Sequence, residues 1–362
     1  MALFPSPTIA RYTARLFLLR TLVFLAALVV ILQTLDLLGE TSRILAPKGN
    51  DESHVWYYVM LRSPQLIAQF LPFSVLLGTL VTLATLNQNS EVVIFKSAGI
   101  SAHQILGPLF VVSLGIAAIN FTFNELVLVK TNRSLAAWQA AEYGPIPPGG
   151  IAKTRVWVRA GDDLFHAARV DGSGNATRLI DLTIYDREAN RLIRIMRATE
   201  ARPVAGGWRL TAARSFDVGS GVQTASAATD YATPATPDRF TASSVNPDQT
   251  PMWVLAADVS ALRAAGRPVA NLDAALHHKL SGPLSALLMP LLGAVAAFGL
   301  ARSGKLFIRA VIGMGLGFAF FVADNFMLAM GDFGTVPTWM AAWGPIMLFV
   351  LIGEAVLIRT EE

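Results

Sequence analysis

Residues 16–38 read LFLLRTLVFLAALVVILQTLDLL, an apolar run with Arg20 near its start and Asp36 near its end. A helix that crosses the hydrocarbon core of a membrane needs about 20 mostly apolar residues, because the core is about 30 Å thick and each helical residue rises about 1.5 Å. Five further runs meet this requirement. We therefore predict six transmembrane helices, at residues 16–38, 64–86, 104–128, 280–301, 306–329 and 338–358.

The composition agrees with a membrane protein. Hydrophobic residues make up 53% of the 362 residues and charged residues only 15%, whereas about a quarter of the residues in a soluble domain are charged. The chain contains no cysteine, which excludes disulfides, thiolate metal sites and cysteine nucleophiles. A net charge of +4 is compatible with nucleic acid or with a membrane, and the apolar runs favour the membrane over a nucleic-acid partner.

The distribution of Lys and Arg predicts the orientation, since short cytoplasmic loops carry an excess of both. With the N-terminus inside, the cytoplasmic pieces hold Arg11, Arg15, Arg20, Lys96, Arg302, Lys305, Arg309 and Arg359. The short outer loops hold only Arg43, Lys48 and Arg62. We therefore predict that both termini are cytoplasmic and that the segment from 129 to 275 lies outside the cytoplasm.

That outer segment has the pattern of β structure. Short alternating or β-branched runs are separated by clusters rich in Gly, Asp and Asn, which hairpin turns require. The runs are residues 155–159, 164–170 and 179–185, and the turn clusters are 160–163, 171–175, 186–190 and 205–207. Strands at this spacing predict a small sandwich or jelly roll. A loop is expected at 233–251, followed by helices at 258–265 and 272–279.

The predicted fold class is thus a membrane α-helical protein, with six transmembrane helices in a 3+3 plan and an inserted all-β, jelly-roll-like domain. Residues 1–128 hold the first three helices, 129–275 the β domain with its connecting helices, and 276–362 the last three helices.

The sequence contains no convincing active site. It lacks the G-x-x-x-x-G-K-[ST] phosphate-binding run, so nucleotide hydrolysis by this chain alone is not expected. It also lacks the H-E-x-x-H and G-x-S-x-G patterns. The pair His277–His278 is a poor metal site, because adjacent helical side chains point in different directions. We therefore predict a chain that is not an enzyme.

Polar residues inside the predicted transmembrane helices are more informative, because a carboxylate there must face protein or water. Asp36 lies near the outer end of the first helix, and Asp324 with Asn325 lies in the outer third of the fifth. They indicate either a polar patch that opens outward or structural hydrogen bonds between packed helices. Gly313, Gly315 and Gly317 are expected to make one side of the fifth helix narrow.

The short cytoplasmic loop after the second helix, residues 89–99, reads NSEVVIFKSAG. Ser90 is a candidate N-cap, Glu91 is favourable at the positive end of a helix, and Gly99 can end the helix. Ser101 with Gln104 then predicts a capping box at the start of the third transmembrane helix. The short helix, at about 90–98, either rests in the membrane interface or inserts into a cytoplasmic partner.

Several short motifs together resemble the lipopolysaccharide-export ABC transporter permeases of the LptF/LptG family, across essentially the whole chain. Their order and their placement on the 3+3 plan carry the resemblance, and three of the groups resemble the LptG branch more than the LptF branch. The matching groups are Arg11-Tyr12, Leu71-Pro72, Leu77-Gly78, Ser90-Glu91-Val92-Val93, Ala98-Gly99, Trp208-Arg209-Leu210 and the three LptG-like groups, Gln33-Thr34-Leu35-Asp36, Pro283-Leu284-Ser285 and Gly315-x-Gly317-Phe318-x-Phe320 ahead of Asp324.

The resemblance implies one half of a heterodimeric permease in the inner membrane of a Gram-negative bacterium, with the β domain in the periplasm. Its implied partners are a dimer of LptB-like ABC ATPases, a homologous LptF permease, a bitopic LptC-like protein and a periplasmic LptA-like bridge. The implied substrate is lipopolysaccharide, extracted from the membrane and passed to that bridge. No cofactor is expected in this chain, since ATP and Mg would be bound by the partner ATPase.

The resemblance also implies roles for particular residues. The loop that carries Glu91 would be the coupling helix that docks into the ATPase, with contributions from Ser90, Val92, Val93, Phe95 and Gly99. The first and fifth transmembrane helices would line the lipid cavity and its gate, with Gln33, Asp36, Gly317, Phe318, Phe320, Phe321 and Asp324 as candidate residues. The LptG branch can place a lysine where this chain has Gln33, so Lys130 and Arg133 are alternative candidates for binding the glycolipid phosphate.

Two other classes of function remain open from the residues alone. A secondary transporter or flippase for another lipid or a small solute would usually show inverted repeats with broken helices, and the two halves of this chain share no obvious pattern. A membrane-anchored enzyme would need catalytic residues. A transporter subunit is therefore the preferred interpretation.

Overall fold

The computed structural model describes residues 6–145, 153–172, 176–188, 191–241, 245–264, 266–299 and 306–361. These residues form ten α-helices and two π-helical turns, and one block of six strands lies between the fifth and the sixth α-helix. The α-helices are α1 (Pro7–Leu45), α2 (Glu52–Gln88), α3 (Glu91–Ser97), α4 (Ala102–Phe123), α5 (Val129–Ala140), α6 (Pro237–Thr241), α7 (Met252–Ala264), α8 (Ala270–Ala294), α9 (Leu306–Asp332) and α10 (Thr338–Glu361).

Six helical stretches of the described chain are long and apolar enough to cross a membrane, which confirms the predicted plan of three helices on each side of a β domain. The third is continuous from Ala102 to Ala140, because the π-helical turn Asn124–Leu128 joins α4 to α5. The helices extend beyond the predicted apolar runs, since polar caps begin them earlier. Asp51 and His54 form a capping box ahead of α2, and Ser101 and Gln104 form the predicted capping box at α4.

The chain divides into two compact units. The helix unit comprises Met1–Ala46, Asn50–Leu135 and Asn246–Glu362, and the sheet unit comprises Pro47–Gly49 and Ala136–Val245. The sheet unit is narrower than the predicted 129–275 segment, because α7 packs against α8 in the helix unit. The helices expected at 258–265 and 272–279 are α7, which starts earlier, and the first turns of α8. Arg302 and Lys305, which supported the orientation, lie outside the described residues.

The core of the helix unit lies among α2, α4 and α8. Its buried side chains include Leu83, Leu106 and Met289, from these three helices. Close approach between α2 and α8 depends on Gly293, where an added Cβ would overlap the side chain of Thr79. Small residues at such contacts let membrane helices pack closely.

The sheet unit contains a six-stranded antiparallel sheet in which each strand pairs with its neighbours in the sequence, so the described order is a meander. Two-residue turns at 161–162 and 205–206 join adjacent strands, and Gly161 and Gly206 adopt the positive φ that such turns require. The strands are β1 (Lys153–Ala160), β2 (Asp163–Asp171), β3 (Arg178–Glu188), β4 (Arg191–Val204), β5 (Gly207–Asp217) and β6 (Gln223–Ala232).

One face of the sheet is covered by a small aromatic cluster. Phe240 of α6 packs edge-on against Phe165 and Trp208, with ring centroids 5.8 and 5.1 Å apart. The indole nitrogen of Trp208 donates a hydrogen bond to the carbonyl oxygen of Ala235 at 2.7 Å. The 233–251 segment, expected as a loop, thus contains a helical turn that closes the core of the sheet unit.

Candidate functional site

The short helix α3 follows α2 directly and presents two faces. Val92 is buried and Phe95 packs against the core of the helix unit, so both side chains fix α3 to the bundle. Val93 and Ile94 point away from it and are 62% and 61% exposed. Two neighbouring aliphatic side chains exposed on a loop between membrane helices form an apolar surface that another protein can cover.

The ends of α3 differ in part from the expectation. Ser90 occupies the predicted N-cap position, but it has a left-handed backbone (φ 59°) and its side chain makes no capping hydrogen bond. Ser90 instead forms the sharp turn between α2 and α3. Glu91 accepts hydrogen bonds at 3.2 Å from the Tyr12 hydroxyl and from the Asn89 amide, which tie it to α1 and α2. Gly99 has a φ of +80° and follows the helix as predicted.

Asp36 of α1 is held by two side chains of α2. The Tyr58 hydroxyl donates to its Oδ2 at 2.7 Å, and the Arg62 Nη2 atom lies 3.2 Å from its Oδ1. Arg62 was expected in an outer loop, but it lies inside α2 and faces α1. The polar group at this point is therefore an ion pair between two packed helices.

Gln33 lies about one turn from Asp36 on α1 and is 7% exposed. The Ser63 hydroxyl donates to its Oε1 at 3.3 Å, whereas its Nε2 has no hydrogen-bond partner among the described residues. A buried amide donor without a partner is costly. Gln33 therefore offers an unused donor at the contact between α1 and α2.

The glycines of α9 do not share one side of the helix as expected. A Cβ at Gly317 would overlap Leu76 of α2, and a Cβ at Gly313 would overlap Leu80, whereas nothing lies within 4 Å of one at Gly315. Residues two apart on a helix point in different directions. Gly313 and Gly317 therefore form the narrow face, and Gly315 lies on an open one.

The aromatic residues of α9 divide in the same way. Phe318 is 62% exposed, while Phe320 is buried against Phe349, with ring centroids 5.5 Å apart. Phe321 packs edge-on against Phe73 at 5.5 Å. Of the three candidate phenylalanines, Phe318 is thus the one that faces outward, and the other two hold α9 against its neighbours.

Asp324 and His278 join α9 to α8. The His278 Nε2 atom lies 3.1 Å from the Asp324 Oδ2 atom, and the aspartate side chain is only 16% exposed. The sequence predicted no metal site at His277–His278, and in the structure His278 has Asp324 as its partner within the helix unit. Asp36 and Asp324 therefore belong to two separate pairs between helices, one on each half of the bundle.

Lys130 and Arg133 lie on α5. The Arg133 Nη2 atom donates to the carbonyl oxygen of Gln249 at 2.8 Å, and Lys130 is exposed. The structure thus gives Asp36 and Arg133 different neighbours, α2 for the first and the segment before α7 for the second. Only Lys130 of these three charged residues presents an exposed side chain with no interaction described for it.

Comparison with known proteins adds to this geometry. A family model described as "Lipopolysaccharide export system permease LptF/LptG" matches residues 11–359. The chain belongs to this family. It is 26% identical over 313 residues to the lipopolysaccharide export system permease protein LptG of Escherichia coli (strain K12), an alignment that covers 83% of this chain and 84% of that protein. It is 26% identical over 325 residues to LptG of Haemophilus influenzae (strain ATCC 51907 / DSM 11121 / KW20 / Rd), covering 87% and 89%.

One polar group of this LptF/LptG-family chain was missed from the sequence. Glu125, in the π-helical turn, lies 3.0 Å from the Lys279 Nζ atom, and the side chains are only 4% and 14% exposed. Glu125 also accepts a hydrogen bond from the Met252 backbone N–H. The sequence did contain a signal for this pair. One acidic and one basic residue lie at the outer ends of two apolar runs, and buried charges in membrane helices are normally paired.

The paired polar groups described above lie at contacts between helices of this permease-family chain. Among the described residues, no group of three His, Asp or Glu side chains could hold a metal ion. The polar pairs join α1 to α2, α8 to α9, and the π-helical turn to α8.

Proposed function

We propose that the chain is the permease subunit of a lipopolysaccharide exporter in a bacterial inner membrane. The observation that carries this proposal is the family match over residues 11–359, on a chain whose described residues contain six membrane-length helices, three before and three after a β sheet in the sequence. Relatives aligned over more than four fifths of the chain bear the name LptG. The alternative of a secondary transporter or flippase for another solute is not favoured by these comparisons.

Energy would come from an ABC ATPase dimer that binds ATP and Mg in place of this chain. The support for this step is α3, which exposes Val93 and Ile94 while Val92 and Phe95 fix it to the bundle. A groove in an LptB-like ATPase that covers these two aliphatic side chains would remove them from water. A rigid connection through α2 would then transmit movement of the ATPase to the membrane helices.

The glycolipid would contact α1 and α9, which have the most exposed apolar faces. Only 17% of the residues in the most apolar stretch of each helix are buried within the chain, compared with 72% in α8. Acyl chains suit such faces, and an anionic head suits Lys130 and the unused Nε2 donor of Gln33. A homologous LptF permease would complete the cavity from the other side.

The orientation rests on the distribution of Lys and Arg. Both termini and α3 would be cytoplasmic, and the sheet unit would be periplasmic, where an LptC-like protein and an LptA-like bridge would receive the lipid. Single cysteines at Lys96 and Thr224, both exposed, test this directly because the chain has none. In spheroplasts, an impermeant thiol reagent should label Thr224→Cys and leave Lys96→Cys unlabelled. The reverse pattern would contradict the proposed topology.

The transport proposal is tested with the complex purified from native membranes through a tag on this chain. Reconstituted into vesicles with lipopolysaccharide, it should transfer the glycolipid to a soluble acceptor only when ATP and Mg are supplied. Copurification of an ATPase and bound lipopolysaccharide would support the proposal. A solute-driven ion flux without any ATPase would instead identify a secondary transporter.

A further inference from the structure

The chain between the sheet unit and α8 follows an unusual course, which we call the return segment (residues 246–264). It begins with the 3-10 turn Pro247–Gln249 and continues into α7. The Asn132 amide donates to the carbonyl oxygen of Asp248 at 3.3 Å, and Arg133 donates to that of Gln249 at 2.8 Å. The start of the return segment therefore lies beside α5.

Three residues after Gln249, the return segment lies beside an earlier part of the same transmembrane helix, which is closer to the centre of the membrane. The Met252 N–H donates to Glu125, which precedes Asn132 by seven residues, or about 10 Å along a helix. Glu125 is paired with Lys279 of α8, so Met252 is also fixed at the level of Lys279. Between residues 248 and 252 the chain thus descends along the third transmembrane helix.

From Met252, α7 runs back toward the N-terminal end of α8, away from the centre of the membrane. Near its other end, Arg263 forms an ion pair at 3.0 Å with Asp273, which precedes Lys279 by six residues of α8, or about 9 Å. The part of α7 between Met252 and Arg263 is about 16 Å long. A helix of this length that rises by about 9 Å lies oblique to α8. The return segment therefore dips toward the membrane, with Met252 at its lowest point.

That lowest point coincides with the boundary of the apolar runs. The run of the third transmembrane helix ends at about residue 128, just beyond Glu125, and the run of the fourth begins at about 280, directly after Lys279. The hydrocarbon of the bilayer therefore begins close to the depth of Met252. Side chains next to Met252 that face away from the protein meet lipid at the level of the headgroups.

The residues at the dip suit such an environment. Trp253 and Val254 are 61% and 42% exposed, whereas Leu255 and Val259 on the other side of α7 are buried. On the outer face they are followed by Ala257 and Ala261, while Asp258, one helical turn beyond Val254, is half-buried. Trp prefers the interface between membrane and water, where its ring meets both apolar and polar groups.

We propose that the return segment is a re-entrant element that inserts Trp253 and Val254 into the bilayer interface on the side of the membrane that carries the sheet unit. Its occupant is bulk membrane lipid, because the pairs at Glu125 and Arg263 fix its depth at the end of the apolar runs and its first turn exposes Trp253 and Val254. The Glu125–Lys279 pair is the anchor that holds the dip down. This inference depends only on the chain crossing a membrane and is independent of the transported substrate.

The absence of native cysteine allows a direct test with single cysteines labelled with the fluorophore bimane. Val254→Cys probes the dip, Ser260→Cys probes the exposed middle of the same helix, and Thr224→Cys probes the sheet. Each is measured in the whole purified complex in nanodiscs, with the parent chain as the background control. The quenchers are phosphatidylcholine spin-labelled on the headgroup or on acyl carbon 5, and aqueous iodide.

At Val254 we expect at least twofold quenching by the spin-labelled lipids and little by iodide, with the reverse at Thr224 and intermediate values at Ser260. Iodide quenching at Val254 equal to that at Ser260 would show that the dip is in water and overturn the proposal. Protection from both quenchers would show that a protein covers Trp253 and Val254, and would also overturn it.

The anchor is tested by adding Glu125→Gln to the Val254→Cys chain, which should reduce lipid quenching toward the value at Ser260. If that variant fails to assemble, the experiment uses the double variant Glu125→Gln with Lys279→Met, which removes both charges. Unchanged lipid quenching in an assembled variant would refute the role of Glu125 as the anchor.

Discussion

Helices α1 and α8 differ in a way that composition does not predict. The most apolar stretch of α1 is more apolar than that of α8, yet only 17% of its residues are buried within the chain, compared with 72% in α8. In a soluble protein the more apolar helix would be the more buried one. In a membrane protein lipid is as apolar as the core, so hydropathy measures contact with hydrocarbon and not with the protein.

The difference has a functional meaning. The exposed helices α1 and α9 are those that we propose contact the glycolipid, whereas α2, α4 and α8 form the packed centre of the helix unit. The Glu125–Lys279 pair also lies in this centre. Burying either charge alone would cost free energy, so each depends on its partner. Substitutions at buried positions should therefore lower stability, whereas substitutions at exposed positions should impair function without unfolding the chain.

Glu125→Ala should be the most damaging of these substitutions, because it leaves Lys279 buried without its partner. Removing one member of a buried ion pair costs about 3–5 kcal/mol. The measurement is the thermal denaturation of the purified complex in lipid nanodiscs. Glu125→Leu combined with Lys279→Met should recover most of the loss, since no unpaired charge remains. Equal damage from the single and the double change would contradict a compensated pair.

On α3 we expect loss of function without loss of stability. Ile94→Asp places a charge where we propose that the ATPase covers an aliphatic side chain, a burial worth about 1.5–3 kcal/mol. The affinity for the ATPase should therefore fall at least tenfold, measured by titration of the ATPase onto the solubilised chain. Val92→Ala, at the buried position two residues away, should lower thermal stability instead. Normal docking of Ile94→Asp would remove α3 from the interface.

The glycines of α9 provide a matched pair. Gly317→Ala should destabilise the helix unit by about 1–3 kcal/mol, because its Cβ would overlap Leu76 and a packed core resists added volume. Gly315→Ala, two residues away, meets open space and should be neutral or slightly stabilising. The check is the difference in denaturation midpoint between the two variants. Equal midpoints would mean that α9 does not pack on α2 in the membrane.

Two substitutions distinguish a role of Glu91 within the bundle from a contact of Glu91 with the ATPase. Glu91→Lys reverses a charge at the start of α3, where the helix dipole contributes only about 0.3–1 kcal/mol. Tyr12→Phe removes the hydrogen bond to Glu91 and keeps the carboxylate. We expect Glu91→Lys to uncouple ATP hydrolysis from lipopolysaccharide release, and Tyr12→Phe to leave the coupling ratio unchanged. A defect of equal size in both would assign Glu91 a role within the bundle.

The sequence predicted what depends on local pattern. The six transmembrane helices, the capping box at Ser101 and the turns at Gly161 and Gly206 follow from apolar length, cap residues and glycine, all of which are local. The helix after Ser90 was also predicted, although Ser90 makes the turn by its backbone and not by a side-chain cap.

What the sequence could not supply is the choice of partners across helices. Asp36 was grouped with Asp324 by its depth, whereas it pairs with Arg62, which was taken for a loop residue. Similarly, Gly315 was grouped with Gly313 and Gly317 although it faces outward. Depth along a helix can be read from the sequence, but the direction that each side chain faces depends on tertiary packing. The Glu125–Lys279 pair shows this most clearly, since 154 residues separate its members.

The smallest effect is expected at Asp51, an exposed carboxylate that contrasts with the buried one of Glu125. Hydrogen bonds from Ser53 and His54 lower the pKa of Asp51 to about 2. Because the pKa is lowered in the folded state, the ionised carboxylate stabilises the start of α2 at any pH above its ordinary pKa of about 4. This contribution is lost as the pH falls toward about 2. Hydrogen exchange at the Ser53 and His54 amides, corrected for the intrinsic rate, should therefore be constant from pH 8 to pH 5 and increase below pH 4. Asp51→Asn keeps an oxygen that can cap the helix but does not titrate there, so its protection should not change across this range. A pH-dependent loss in the Asn variant would assign the effect to another group.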